Sequence, residues 1–381
     1  MIYFFKTGST SVLILILILV GCNDLNYDNT TPISQIDGCQ NALEFLSEKN
    51  VQKESEIMDY AFTGPLISND FIHPAIVSLN DILQVNISMF MKASTFFAAY
   101  DNLIVDSAES LSFDRDMTKV LRLNYQLGCK PYSAFAYGDI SEKKEKAILI
   151  IPGSGMNQSY GIYVNDPNNY HYGIIDAVVD DYNTFVFIKP NEDILSFHNG
   201  NKKLSYDFIT NWQLNRGSSY SATYIVHSLA IMKYLQSQYP TVAVAGLSQG
   251  GAAALLNALQ SKPNAAIISS GYSIILQTIA EWSGFNQIIL PGVSDIFRPD
   301  QLIIAIDEME TEFLFTYGSQ EADVYGIEAE EQLTCSYFEH LSNVQCRIHS
   351  GGHSFPNALI SSFLSDISSV RLRTCMKGRP G

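Results

Sequence analysis

The residues most suited to chemistry gather around Ser248, in the hexapeptide Gly246-Leu247-Ser248-Gln249-Gly250-Gly251. The apolar run Val242 to Ala245 precedes it and the helix-forming run Ala252-Ala253-Ala254-Leu255-Leu256 follows it. A serine at the tip of a strand-to-helix turn needs a strained backbone, and glycines must flank it because side chains there would meet the adjoining strand or helix. The Gly-x-Ser-x-Gly pattern arises often by chance, as a plain glycine turn. Here the strand before and the helix after it point to an exposed nucleophile.

A serine hydroxyl attacks poorly until a base takes its proton. Of the seven histidines, only His340, His349 and His353 follow the serine. His353 sits in Ser350-Gly351-Gly352-His353-Ser354-Phe355-Pro356, just beyond the run Val344 to His349, and is preferred as the base. His349 ends that run and is the alternative; His340 falls in the preceding helical stretch. A histidine serving only the loop's structure is the other reading. The third member must hold the imidazole tautomer and offset its charge. After Phe313 to Tyr317 comes Gly318-Ser319-Gln320-Glu321-Ala322-Asp323, which offers two carboxylates. Glu321 is preferred for its three-residue offset from the glycine, and Asp323 stays open. Donors for a developing oxyanion, each worth roughly 2.7 to 4 kcal/mol, are the final requirement. The N–H of Gln249 is one candidate. The second belongs to the loop Gly153-Ser154-Gly155-Met156-Asn157, with Ser154 ahead of Met156; a tight turn without this role is the alternative.

Elements must hold these residues in place. Ala147 to Ile151 is a continuous apolar run ending in Pro152-Gly153, as a buried parallel strand would, and Thr184 to Ile188 repeats the pattern before Lys189-Pro190-Asn191-Glu192-Asp193. That polar loop either shapes a pocket or merely connects. A helix is expected from about Ser221 to Tyr239, with Ser219 as its cap, stopped by Pro240. Strands at 242–245, 265–268, 313–317 and 344–349 alternate with helices at 251–259 and 356–370. This alternation indicates an α/β architecture.

In these motifs the chain from about Val120 to Val370 resembles the α/β-hydrolase superfamily. The glycine loop after Ile151, the elbow at Ser248, the acid loop with Glu321 and Asp323, and Gly-Gly-His353 occur in that family's order of nucleophile, acid and histidine. The resemblance implies a mostly parallel sheet of about eight strands with helices on both faces, and chemistry on esters, thioesters or amides. Pro152-Gly153 stands where many members have His-Gly.

The N-terminus sets the location. A single cation, Lys6, precedes the apolar run Val12 to Val20, which is too short to span a bilayer but fits a secretory signal. Its end, Leu19-Val20-Gly21-Cys22, resembles a bacterial lipobox. That resemblance implies cleavage after residue 21, acylation of Cys22, and a lipoprotein of the cell envelope held to a membrane through lipid, with Asn23 favouring the outer membrane. An ordinary signal peptide or an uncleaved anchor are the alternatives. Residues 22–38 read as a polar tether, 39–118 as a mostly helical extension, 119–370 as the α/β domain and 371–381 as a basic tail.

Five further cysteines allow two disulfides outside the cytoplasm: Cys335 with Cys346, and Cys39 with Cys129, leaving Cys375. The spacing of cysteines and histidines gives no metal site, and no cofactor is expected. With 23 Lys and Arg against 39 Asp and Glu, the formal charge of −16 argues against a nucleic-acid partner. The expectation is a serine hydrolase acting on a small carboxylic ester through a Ser-His-acid triad. A serine peptidase of the same fold and a non-catalytic surface binding module are the alternatives.

Overall fold

The structure, a computed structural model, describes residues 99–113, 118–127, 130–141, 144–155, 157–192, 194, 220–276, 281–284, 299–321 and 334–377. All lie within one compact unit, 49–381. The signal peptide and tether with Cys22, the cysteines Cys39 and Cys129, and the site candidates Met156 and Asp323 lie outside the described residues.

Eleven strands are described: β1 (Leu103–Phe113), β2 (Thr118–Leu127), β3 (Lys130–Tyr137), β4 (Lys146–Ile151), β5 (Asn183–Phe187), β6 (Thr241–Leu247), β7 (Ala265–Ser269), β8 (Ser273–Leu276), β9 (Glu281–Gly284), β10 (Glu312–Gly318) and β11 (Val344–His349). Nine of them form one sheet in the order β1-β2-β3-β5-β4-β6-β7-β10-β11, and β8 and β9 pair separately. From β5 to β11 every neighbouring pair is parallel, whereas β1, β2 and β3 join antiparallel at one edge.

The period-2 alternation of side chains divides the apolar core into two layers. Leu149 and Ile151 of β4, Val244 of β6, Ala266 and Ile268 of β7 and Phe313 and Phe315 of β10 face one way. There they pack under two helices, α4 (Tyr220–Gln238) and α5 (Gln249–Ser261). Ile148, Ile150, Ala243, Ala245, Leu247, Ile267 and Leu314 face the other way. Over them lie α2 (Gln158–Tyr163), α3 (Ile174–Val178) and α7 (Asn357–Lys377). Burial on both faces is what made these central strands read as uninterrupted apolar runs.

Two boundaries differ from the expectations. The described end of the supposed helical extension holds one helical turn, α1 (Ala99–Asn102), and then β1, an edge strand of the sheet. β1 alternates weakly, because one face meets water and its register shifts between Val105 and Ser107. The supposed tail continues α7 as far as Lys377. Arg371 to Lys377 are adequate helix formers, and the first breaker is Gly378. A further helix, α6 (Pro299–Asp307), precedes β10.

Candidate active site

The loops at the C-terminal ends of β4, β5, β6, β7, β10 and β11 leave the same edge of the sheet, because these strands are parallel. Every candidate for chemistry among the described residues is on one of them or at its helical continuation.

Ser248 follows β6 directly, with φ 63° and ψ −128°, a backbone conformation costing a serine about 1–3 kcal/mol. Hydrogen bonds hold it there: its N–H donates to the Ser269 carbonyl at 2.8 Å, and its carbonyl accepts the Ala252 N–H at 3.1 Å. The flanking glycines are steric requirements. A Cβ on Gly246 would lie 1.9 Å from the Gly250 carbonyl oxygen, and one on Gly250 would lie 2.0 Å from that of Ile151. Gln249 begins α5, so its N–H lies at the helix N-terminus next to the serine.

Glu321 lies 2.7 Å from His353, through Oε1 and Nδ1. The carboxylate is almost wholly buried, at 2% exposure, and it also accepts the Ser270 hydroxyl and the Gly318 N–H, the latter at 3.1 Å. Buried carboxylates are tolerable when so supplied with donors. Nδ1 faces a carboxylate and therefore carries the imidazole proton, leaving Nε2 as the basic nitrogen.

The acid and histidine loops are laced together by Ser319 N–H to the His349 carbonyl at 2.8 Å and Gln320 N–H to the Gly351 carbonyl at 3.1 Å. Gly318 permits this approach, since a Cβ there would lie 2.3 Å from the Gly352 oxygen. His349, the alternative base, accepts the Gly351 N–H on Nδ1 at 3.2 Å and so supports the loop that presents His353; burial lowers its pKa. His340 is exposed on a turn.

The loop after β4 is held by residues the sequence did not single out. His171, fully buried, accepts the Gly153 N–H on Nε2 at 2.9 Å, and its Nδ1 lies 2.7 Å from Asn169 Oδ1. Burial, then the nearby charge of Lys189 and the His353 ring, hold its pKa well below the usual histidine value. The neutral ring can thus accept at one nitrogen and donate at the other. Tyr170 stacks on His353 with ring centroids 5.5 Å apart and donates to the Ser154 carbonyl at 3.1 Å.

Lys189 is buried beside this loop and donates to the carbonyls of Gly153, at 2.7 Å, and Gly155. Burial pulls its pKa down to about 8, opposed by Glu192 at 4.0 Å. Glu192 in turn accepts the Ser159 hydroxyl at 2.8 Å and N–H at 3.2 Å. Lys189 and Glu192 belong to the polar loop that the sequence offered as pocket-shaping or merely connecting; for Tyr170 and His171 the one clue was a Tyr-His pair in an Asn-rich loop.

Of the expected disulfides, Cys335–Cys346 is present with Cα atoms 5.3 Å apart and joins residues 334–338, a helical turn, to β11. Among the described residues no group of three or more His, Cys, Asp or Glu could hold a metal ion, and no helix is long and apolar enough to cross a membrane.

No family model matches the chain, and no curated protein does. Among solved structures it is similar to a candidate acetyl xylan esterase from Bacteroides fragilis NCTC 9343, at 13% identity and TM-score 0.43, over 79% of this chain and 83% of that one. It is also similar to Est1E from Butyrivibrio proteoclasticus, at 13% identity and TM-score 0.39, over 69% of this chain and 100% of that one. A third is the esterase Pf2001 from Pyrococcus furiosus, at 12% identity and TM-score 0.37, over 70% of this chain and 89% of that one. On its own architecture, with a mostly parallel sheet, helices on both faces and an elbow serine at the end of a central strand, the chain has the α/β-hydrolase fold.

Proposed function

We propose that the protein is a serine hydrolase that cleaves carboxylic esters through an acyl-enzyme. The observation that carries this reading is the 2.7 Å contact between Glu321 and His353, on the same sheet edge as a serine held at φ 63°. In this mechanism His353 Nε2 takes the Ser248 proton as Oγ attacks the ester carbonyl, and the resulting oxyanion meets the N–H groups of Gln249 and Ser154. His353 returns the proton to the departing alkoxide, which leaves as the alcohol. Water then repeats the sequence on the acyl-enzyme and releases the acid. Glu321 stays ionised throughout and offsets the transient imidazolium.

The test is turnover by the purified protein of short acyl nitrophenyl esters beside peptidyl amides of matched acyl groups. Ester cleavage supports the reading; cleavage of amides in preference would make the protein a peptidase.

We infer further that the mature chain is a lipoprotein of a bacterial envelope, anchored through Cys22. The lipobox-like sequence supports this, and the Cys335–Cys346 disulfide suits an oxidising compartment. Incorporation of an alkynyl fatty acid into the wild-type chain but not into Cys22→Ser is the expected result. Equal labelling of both would contradict it.

A further inference from the structure

A peptide group is planar and trans, so its C=O and the N–H that follows point in opposite directions. Fixing the carbonyl of Gly153 therefore fixes the direction of the Ser154 N–H. That carbonyl is bound by the Lys189 ammonium at 2.7 Å, and the same ammonium binds the carbonyl of Gly155. The peptide groups before and between these two have other anchors. The Tyr224 hydroxyl donates to the Pro152 carbonyl at 2.6 Å, His171 accepts the Gly153 N–H, and the Tyr170 hydroxyl donates to the Ser154 carbonyl. Four successive peptide planes are thus held from outside the loop, two of them by Lys189. Glycines at 153 and 155 would otherwise leave these planes free to turn.

We propose that Lys189 is a positioning residue for catalysis, which aims the Ser154 N–H as the second oxyanion donor by gripping the Gly153 carbonyl from behind. The proposal rests on the serine-hydrolase reading above and deepens it.

A lysine suits this task because its ammonium carries three donors on a point, enough for two carbonyls and an ion pair. Glu192, 4.0 Å away, is the counter-charge, and it is itself held by Ser159 at the start of α2. The cation also lies behind a loop that would face a developing negative charge, which adds to the field at the oxyanion. A buried lysine kept only for packing would be replaceable by an apolar chain of similar length, and this sets the test.

Lys189→Met alone would strand the Glu192 carboxylate, so the informative variant is Lys189→Met with Glu192→Gln, which keeps an acceptor for Ser159 and removes the orphan charge. Lys189→Gln, made with the same Glu192→Gln, also leaves no orphan charge but retains a neutral donor. Wild-type turnover of a short acyl ester is measured first, then kcat and KM of each variant that melts cooperatively, and the affinity of each for an alkyl boronic acid that forms a tetrahedral serine adduct.

The double variant with methionine should lose kcat by roughly 10²- to 10³-fold, the loss seen for one oxyanion donor, with the double variant carrying glutamine at 189 between it and wild type. KM should stay within about threefold, and boronate affinity should fall in proportion to kcat/KM. A folded variant with wild-type kcat, or one altered in KM alone, overturns the assignment of Lys189 while leaving the hydrolase reading standing. Absence of ester turnover by the wild-type protein overturns that reading, and this proposal with it.

Discussion

The carboxylate of Glu321 joins His353 to Ser270: one oxygen lies 2.7 Å from the imidazole Nδ1, and the Ser270 hydroxyl reaches both oxygens, at 2.7 and 2.8 Å. Glu321 is therefore oriented from behind by Ser270, the residue that follows β7. Glu321→Gln should keep the fold and lower kcat by about 10⁴-fold, as loss of the tautomer-holding charge does in other triads. Asp323→Asn should remain near wild type. Steady-state kinetics on both variants make the comparison, and the reverse ranking would give the acid role to Asp323.

Ser270→Ala removes one hydrogen bond to a buried charge, worth about 1.5–3 kcal/mol. The denaturation midpoint should fall accordingly, measured in urea at neutral pH. No change in midpoint would mean that Glu321 finds another donor.

Strain at Ser248 predicts opposed effects on stability and activity. Glycine is at ease at φ 63°, so Ser248→Gly should be more stable than Ser248→Ala by about 1 kcal/mol, and both should be inactive. Equal stability of the two would contradict the strain. Gly250→Ala should fail to fold or melt far earlier, because its Cβ would sit 2.0 Å from a backbone oxygen of β4.

Two buried histidines should weaken the fold in acid. Burial pushes the His227 pKa down to about 3, and that of His171 also lies well below the usual value. Unfolded chains take up these protons below about pH 6.5, whereas the folded protein resists them, so the unfolded state binds more protons. The contribution of these two histidines is accordingly full above pH 6.5, and stability falls as pH drops toward the folded values, by about 1.4 kcal/mol per pH unit for each histidine. His227 pairs with the Tyr125 hydroxyl at 2.9 Å, so His227→Phe with Tyr125→Phe removes both partners and should flatten the slope by one proton's worth. An unchanged slope would show that His227 is not kept neutral.

Removing the disulfide by Cys335→Ala with Cys346→Ala, a separation of 11 residues, should cost roughly 3 kcal/mol from loop closure. Comparison of thermal or urea unfolding with and without reductant checks it. Equal stability would mean that the loop is constrained by its packing alone.

What the sequence disclosed depended on how local the determinants are. β4, β6 and β7 were plain because both faces are buried, and the elbow was plain because its glycines, strand and helix are contiguous. The choice between Glu321 and Asp323 was open because two carboxylates two residues apart in one loop differ in reach only through the path of that loop; Glu321 meets His353 at 2.7 Å, and Asp323 lies outside the described residues. His171 and Lys189 went unread as loop supports because each is bonded to backbone more than 15 residues away, which no short pattern records. β1 was misread because Asp106, Ser107 and Glu109 face water and a register shift breaks its alternation.

The most direct test of the account is Ser248→Ala, assayed for short-ester turnover and for labelling by a fluorophosphonate probe. The account predicts a cooperatively melting protein that neither labels nor turns over ester, beside a wild type that does both. Turnover by the variant at the wild-type rate would contradict it.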